Sequence, residues 1–419
     1  MSTTSEVGSD ADRPVLPVPR AARCPLAPPA EFADWRAAPG LRQAMFHGNP
    51  IWVVSRYQDI RAALVDPRLS AKTLSDAMMP TDSDNKIPVV FARTDDPEHN
   101  RIRRMLTSNF TFRRCEAMRP QIQEMVDHYL DEMIGNGPPA DLVRDFGLPV
   151  PSMVIALLLG VPTDDLALFQ HNTSKGLDQQ SSDEEKAHAF GSMYAYLEEL
   201  VERKVREPGD DLISRLVTEY VATGQLDQGT AAITSVIMMQ AGHETTANMI
   251  SLGTVALLEH PDVFERLGQS NDPAVIANIV EELMRYLTIV VSQVDRVATE
   301  DLTIGGQLIR AGEFVMMNLL AGNWDSEYVD NPETFDVERN TRGHLGFGYG
   351  VHQCIGANLA RVEMQVAFAT LARRLPGLKL AVPPDELRFK ESDMGWFEQR
   401  SGGGCRRRDS PTRRPGRRR

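Results

Sequence analysis

Apolar residues recur three and four positions apart through most of the middle of the chain, and this spacing predicts a mainly helical protein. Residues 230–258 carry Ile233, Val236, Ile237, Met238, Met239, Ala247, Met249, Ile250 and Leu252 on nearly every side, which predicts one long helix through the centre of the core. Residues 116–170 give further helices, broken at Gly135-Asn136-Gly137-Pro138-Pro139 and at Gly160-Val161-Pro162, and their apolar stripes read as core. A helix is also expected over 31–40. Strand patterns are short. Residues 51–54 precede a helix over 57–64, residues 294–298 and 302–320 alternate with turns at Gly305-Gly306 and Ala311-Gly312, and 378–382 and 387–390 close the pattern. The expected fold class is therefore mainly α with small sheets.

Periodicity fails in four places. The first 30 residues are polar and proline-rich and predict an extended arm, disordered over 1–22, ahead of a domain spanning 23–400. Residues 71–94 read as a long loop, and long ordered loops are often functional. Between two helices within 164–206, the polar stretch 172–183 suits a lid over a pocket or an ordinary surface connection. Residues 401–419 read as a basic, disordered tail.

Charge sharpens the last point. The net charge is −13, and the tail's eight arginines and one aspartate carry +7, which leaves residues 1–400 at −20. An acidic body argues against an enzyme that holds nucleic acid by its phosphates. For the tail, attachment to nucleic acid or an altered reading frame near Trp396 would give the same composition, and disorder is the simpler reading. Hydrophobic residues at 42% and charged residues at 25% are ordinary for a globular protein, and no eighteen-residue apolar run predicts a membrane span. With no apolar leader at the start, a cytoplasmic location is expected. Cys24, Cys115, Cys354 and Cys405 are scattered, which suggests neither a disulfide framework nor a zinc site.

The candidate chemistry lies where the patterns break. Residues 347–356, Phe-Gly-Tyr-Gly-Val-His-Gln-Cys-Ile-Gly, put Cys354 on a glycine-rich loop just before a helix over 355–364. Glycines let a flat cofactor approach, and a helix start lowers a thiol pKa, so Cys354 is placed to bind a metal. A small buried hydrophobe is the bland alternative; a phosphate loop is excluded because its Lys-Ser/Thr is missing. In the middle of the apolar helix stand Gly242, His243, Glu244, Thr245 and Thr246. A buried carboxylate costs several kcal/mol unless paired, so Glu244 invites a functional account. The Thr245 hydroxyl can bond back to the Ala241 carbonyl, or release it and open a groove that holds O₂ and relays protons. His99 and Arg103 share a helix face and could clamp one anion or sit in solvent. Glu282 and Arg285 form a common i, i+3 pair. His352 could itself be a metal ligand, though no second cluster supports that.

These motifs, in this order, resemble those of the cytochromes P450 over roughly residues 22–394. The matched positions are Phe347-Gly-x-Gly-x-His352-x-Cys354-x-Gly356 followed by Leu359-Ala360-Arg361, then Ala241 to Thr246, Pro97-Glu98-His99 with Arg103, Arg296, and Glu282-x-x-Arg285 with Arg339. The stretch 146–151 and the helices are most similar to soluble actinobacterial members that act on macrolides, steroids, statins and xenobiotics.

The resemblance implies the cytochrome P450 fold and haem b. It makes Cys354 the iron ligand. His99, Arg103, Arg296 and His352 would hold the propionates, and Ala241, Phe347 and Gly356 would also contact the cofactor. Glu244 and Thr245 would deliver protons for O–O cleavage. Glu282, Arg285 and Arg339 would form a structural ion network, and Met238, Ile289, Val290 and Val291 would line the substrate pocket. The implied reaction is hydroxylation of an apolar, medium-sized organic molecule with O₂ and NAD(P)H. Electrons would come from a separate ferredoxin and ferredoxin reductase, because the chain is too short to add a flavin reductase. A nitric oxide reductase of P450 type and a haem-binding sensor are the rivals, and the Glu244–Thr245 pair counts against both. Two departures stand out: Asp95-Asp96-Pro97 replaces a more usual pair of prolines, and Ser401 to Cys405 with arginines replaces an apolar closing hairpin.

Overall fold

The helix Gln228–Glu259 runs for 32 residues, about 48 Å at 1.5 Å per residue. Its start is fixed by Asp227, whose carboxylate accepts the Thr230 N–H at 2.8 Å. Apolar residues bury every side, so the helices Pro149–Leu159, Asp183–Arg206 and Ala357–Arg374 can all pack on it. Contact with the last of these is close: a Cβ at Gly253 would stand 2.4 Å from Phe368 Cζ. Glycine is what lets the two helices meet there.

A computed structural model describes residues 13–18, 26–71, 91–177, 181–291 and 294–387, with the backbone of 389–390, 396–397 and 404–407. Most of the expected loop 71–94 and of the arm 1–22 lies outside the described residues. Helices follow the predicted periodicity at Glu31–Ala37, Tyr57–Ala63, Glu98–Thr107 and Arg119–Asn136. One expectation changes. The helix Leu166–Leu177 continues through much of the polar stretch 172–183, and the next begins at Asp183 behind a Ser182–Glu185 capping box. Among the described residues no helix is long and apolar enough to cross a membrane.

The main sheet has five strands, ordered Arg42–Phe46, Asn49–Val54, Phe314–Met317, Asp295–Ala298 and Leu69–Ser70. Asn49–Val54 runs parallel to Phe314–Met317, with Ile51 opposite Phe314, and the other pairings are antiparallel. A second cluster of core residues around Tyr57, Ile60, Val315 and Leu345 sits against this sheet. Small strands finish the fold. Phe389–Lys390, within the strand expected over 387–390, pairs antiparallel with Trp396–Phe397. Gly404–Arg407 lies antiparallel between Ala140–Asp141 and Leu378–Leu380, which corrects the expectation of disorder for those four tail residues. An open sheet edge presents unpaired backbone N–H and C=O groups, which is what this segment pairs with.

Candidate active site

Cys354 faces a cavity of about 270 Å³ enclosed between the central helix and the start of helix Ala357–Arg374. Its loop is set by backbone geometry. The Cys354 N–H donates to the Phe347 carbonyl at 2.9 Å, and Gly348 and Gly350 adopt φ of +70° and +77°. At Gly350 a Cβ would also meet the Leu64 carbonyl at 2.7 Å, so only glycine fits.

The thiol is open to the cavity and enclosed by protein elsewhere. Burial pushes its pKa up, while the Gly356 N–H and the charges of Arg103 and Arg361 pull it down. The helix start therefore does not ionise Cys354 by itself, as its position had suggested. A cation bound at Sγ would displace the proton.

Facing the loop across the cavity are Met238, Ala241, Gly242, Thr245 and Thr246 of the central helix. The Thr245 hydroxyl donates to the Ala241 carbonyl at 2.6 Å. Of the two arrangements open to it, the structure holds the back-bonded one. Glu244 is buried on the adjacent flank of the helix and is not among the lining residues. His243 is buried on the far side, and burial pushes its pKa down to about 4. The Leu148 backbone approaches its ring without reaching hydrogen-bond geometry. Ile289 and Val290 add an apolar wall with Val294 and Leu319. Val291 departs from expectation: it packs on the main core and does not line the cavity.

Polar groups gather at one edge. His99 is buried, its ring centroid lies 4.0 Å from that of His352, and its Nδ1 has no hydrogen-bond partner among the described residues. Burial, with the charge of Arg103 next, lowers the His99 pKa; burial, Arg296 and His99 push His352 down to about 3. Arg103 donates to the Gln353 carbonyl at 2.6 Å and Arg296 to the Asp295 carbonyl at 2.7 Å. Two arginines and two imidazoles thus crowd together with donor capacity to spare, as a site for an anion would require.

Behind the loop, Glu282 and Arg285 are fully buried and meet through two hydrogen bonds of 2.7 and 2.8 Å. Arg339 Nε lies 3.6 Å from the same carboxylate. Arg285 also donates to the carbonyls of Asn323, Pro332 and Thr334 at 2.8–3.1 Å, so all five of its guanidinium N–H groups are used. The three residues are together, as expected.

Four residues escaped the sequence reading. Glu281, His344 and Arg361 form a second buried network beside Phe347, and Glu363 lines the cavity. Arg361 belonged to a recognised motif without a role, and Glu281 was masked by its neighbour Glu282. Burial holds the Glu363 carboxyl well above the usual range.

The residues fit haem. A single thiol opens into an apolar cavity, and an orphaned buried imidazole nitrogen stands with two arginines at one end, where acidic substituents would lie. The family model described as Cytochrome P450 matches residues 180–386. The chain is 45% identical to cytochrome P450 GfsF of Streptomyces halstedii, over 94% of this chain and 97% of that one. It is 40% identical to the vitamin D3 dihydroxylase of Streptomyces griseolus, over 92% and 96%. The crystal structure of GfsF superposes with a TM-score of 0.86, at 42% identity and covering 94% and 99%. That of the mycinamicin VIII C21 methyl hydroxylase of Micromonospora griseorubida, bound to mycinamicin VIII, gives 0.84 at 36% identity, covering 94% and 99%.

Proposed function

The chain belongs to the cytochrome P450 family of haem monooxygenases, and we propose that it hydroxylates an apolar, medium-sized organic molecule of macrolide or steroid size. The observation that carries this reading is that Cys354 and Thr245 line the same apolar cavity from opposite sides. The relatives support the substrate class: one is named for mycinamicin VIII and another for vitamin D3. Overall the substrate C–H, O₂, two electrons and two protons become an alcohol and water. The electrons come from NAD(P)H through a separate ferredoxin and its reductase, and the protein works in the cytoplasm.

Haem b, held by Cys354, supplies the redox chemistry that activates O₂. His99, Arg103, Arg296 and His352 bind its carboxylates, each charge-assisted hydrogen bond contributing about 1.5–3 kcal/mol. Ala241, Phe347 and Gly356, which line the cavity, would contact it, and the Gly356 N–H would steady Cys354 Sγ as the thiolate. Met238, Ile289 and Val290 orient the substrate by contact alone, with about 0.8 kcal/mol for each methylene withdrawn from water. Such walls choose a substrate by shape. The Thr245 hydroxyl holds a proton at the cavity and Glu244 replaces it from the buried flank. Glu282, Arg285 and Arg339 hold the segments behind the cysteine loop rigid.

The test is the absorption spectrum of the purified protein reduced with dithionite and exposed to carbon monoxide. A Soret band shifted far to the red is expected. An unshifted band would mean that Cys354 does not bind iron as a thiolate and would overturn the reading. NADH consumption with nitric oxide and no redox partner would favour the nitric oxide reductase instead.

A further inference from the structure

Glu281 lies next to Glu282 on helix Pro273–Leu287, yet it serves a different set of partners. Adjacent helical residues do not share a face, so the two carboxylates part company at once. Glu281 Oε1 accepts from Arg361 Nε at 2.6 Å, and Oε2 accepts from Arg361 Nη2 at 2.9 Å, a two-pronged pair. Oε2 also lies 3.1 Å from His344 Nε2. The other nitrogen of that ring, Nδ1, accepts the Gly346 N–H at 3.0 Å, so the proton of a neutral His344 sits on Nε2 and is donated to Glu281. Both carboxylate oxygens of Glu281 are thus engaged, one of them twice.

Both partners of Glu281 lead to the same aromatic ring. The Arg361 guanidinium lies 4.5 Å from the Phe347 ring centroid, and the His344 ring lies 5.7 Å from it. The Phe347 carbonyl accepts the Cys354 N–H. A single buried carboxylate therefore fixes the two side chains that pack on the residue at the root of the cysteine loop. It also cancels the charge of Arg361, one of the cations that act on Cys354.

We propose that Glu281 is a positioning residue that sets the electron-donating strength of Cys354, by neutralising Arg361 and by holding Arg361 and His344 against Phe347. This rests on the haem-thiolate reading above. Reduction of the haem adds negative charge close to Arg361. With Glu281 ionised, the guanidinium favours that charge little; with Glu281 neutral, it favours it strongly.

The experiment measures the haem reduction potential in the wild type and in Glu281→Gln, Arg361→Gln, the double variant and Glu281→Asp, each first checked for the red-shifted carbon monoxide band. Glu281→Gln is expected to raise the potential, Arg361→Gln to lower it, the double variant to fall between them, and Glu281→Asp to stay near the wild type. A merely structural role moves both single variants the same way and makes the double variant worst; that result, or no change at all, would overturn the proposal. If Glu281→Gln does not keep haem, Arg361→Gln and Glu281→Asp still decide it, because a potential that is unchanged or raised in the former contradicts the charge argument. Absence of the red-shifted band in the wild type would instead sink the haem-thiolate reading itself.

Discussion

The Thr245 hydroxyl donates to the Ala241 carbonyl one turn back in the same helix, at 2.6 Å, while facing the cavity that Cys354 faces from the other side. The bond parks a proton-bearing oxygen at the cavity without breaking the helix. Removing that hydroxyl should leave the fold intact. In Thr245→Ala, product formed per NADH consumed should fall by about a hundredfold, the lower end of what a positioned proton donor contributes. The lost electrons should appear as hydrogen peroxide, and Thr245→Ser should restore product. Full product yield from Thr245→Ala would remove the residue from proton delivery.

Arg285→Ala should be the most damaging single change outside the cavity. It strands the fully buried Glu282 carboxylate and frees three carbonyls. Breaking such a pair from one side costs about 3–5 kcal/mol, a large share of a protein's stability. Urea unfolding should show that loss in the midpoint. A change under about 1 kcal/mol would mean that solvent reaches the pair.

His99 and Arg103 offer a test of haem retention that is independent of turnover. Replacing either by leucine removes a charge-assisted donor of about 1.5–3 kcal/mol, which is about ten- to a hundredfold in affinity. Haem transfer to apomyoglobin should quicken by that factor, and His99→Gln should recover part of it. Equal transfer rates would place the haem carboxylates elsewhere.

Two buried groups should write acid sensitivity into the stability curve in adjoining windows. Burial lowers His243 from an ordinary 6.5 to about 4, so between those values the unfolded chain binds a proton that the folded chain refuses. Stability is therefore lost as pH falls through this range, on the order of 3 kcal/mol in all. Glu281 is held down to about 2 from an ordinary 4.5 by His344 and Arg361 against the cost of its burial. Its contribution is complete above about 4.5 and is lost as pH falls toward 2, again on the order of 3 kcal/mol. Denaturation followed against pH should lose the upper slope in His243→Leu and the lower slope in Glu281→Gln. A slope that survives in either variant would assign that proton to another group.

Val290→Phe should narrow the cavity. Filling space in a packed wall costs about 1–3 kcal/mol, so the Kd of a substrate that shifts the Soret band should rise about tenfold. The same change at Val291, which does not line the cavity, should lower stability without that selective effect on binding.

The chemistry was legible in the sequence because it is local. Cys354 sits in a ten-residue loop, Glu244 and Thr245 in a single turn, and Glu282 and Arg285 one turn apart, so each group shows as a short motif whose role the resemblance to the cytochromes P450 implies. Periodicity likewise placed the central helix to within two residues at its start, because an apolar surface on every side leaves only the core as its location. What the sequence could not decide was assembled from distant segments. Glu281 and Arg361 are 80 positions apart and meet only because helices Pro273–Leu287 and Ala357–Arg374 pack together. The proton affinity of Cys354 is a similar case: the helix start is local, but the desolvation that pushes its pKa up comes from the whole enclosing fold. The strand Gly404–Arg407 is a further case, since what orders it is the open edges of Ala140–Asp141 and Leu378–Leu380. Sequence thus determined which groups are candidates for the chemistry and on which local elements they lie. Tertiary packing alone decided their electrostatic surroundings, because burial and charge are properties of everything within reach and not of neighbours in the chain.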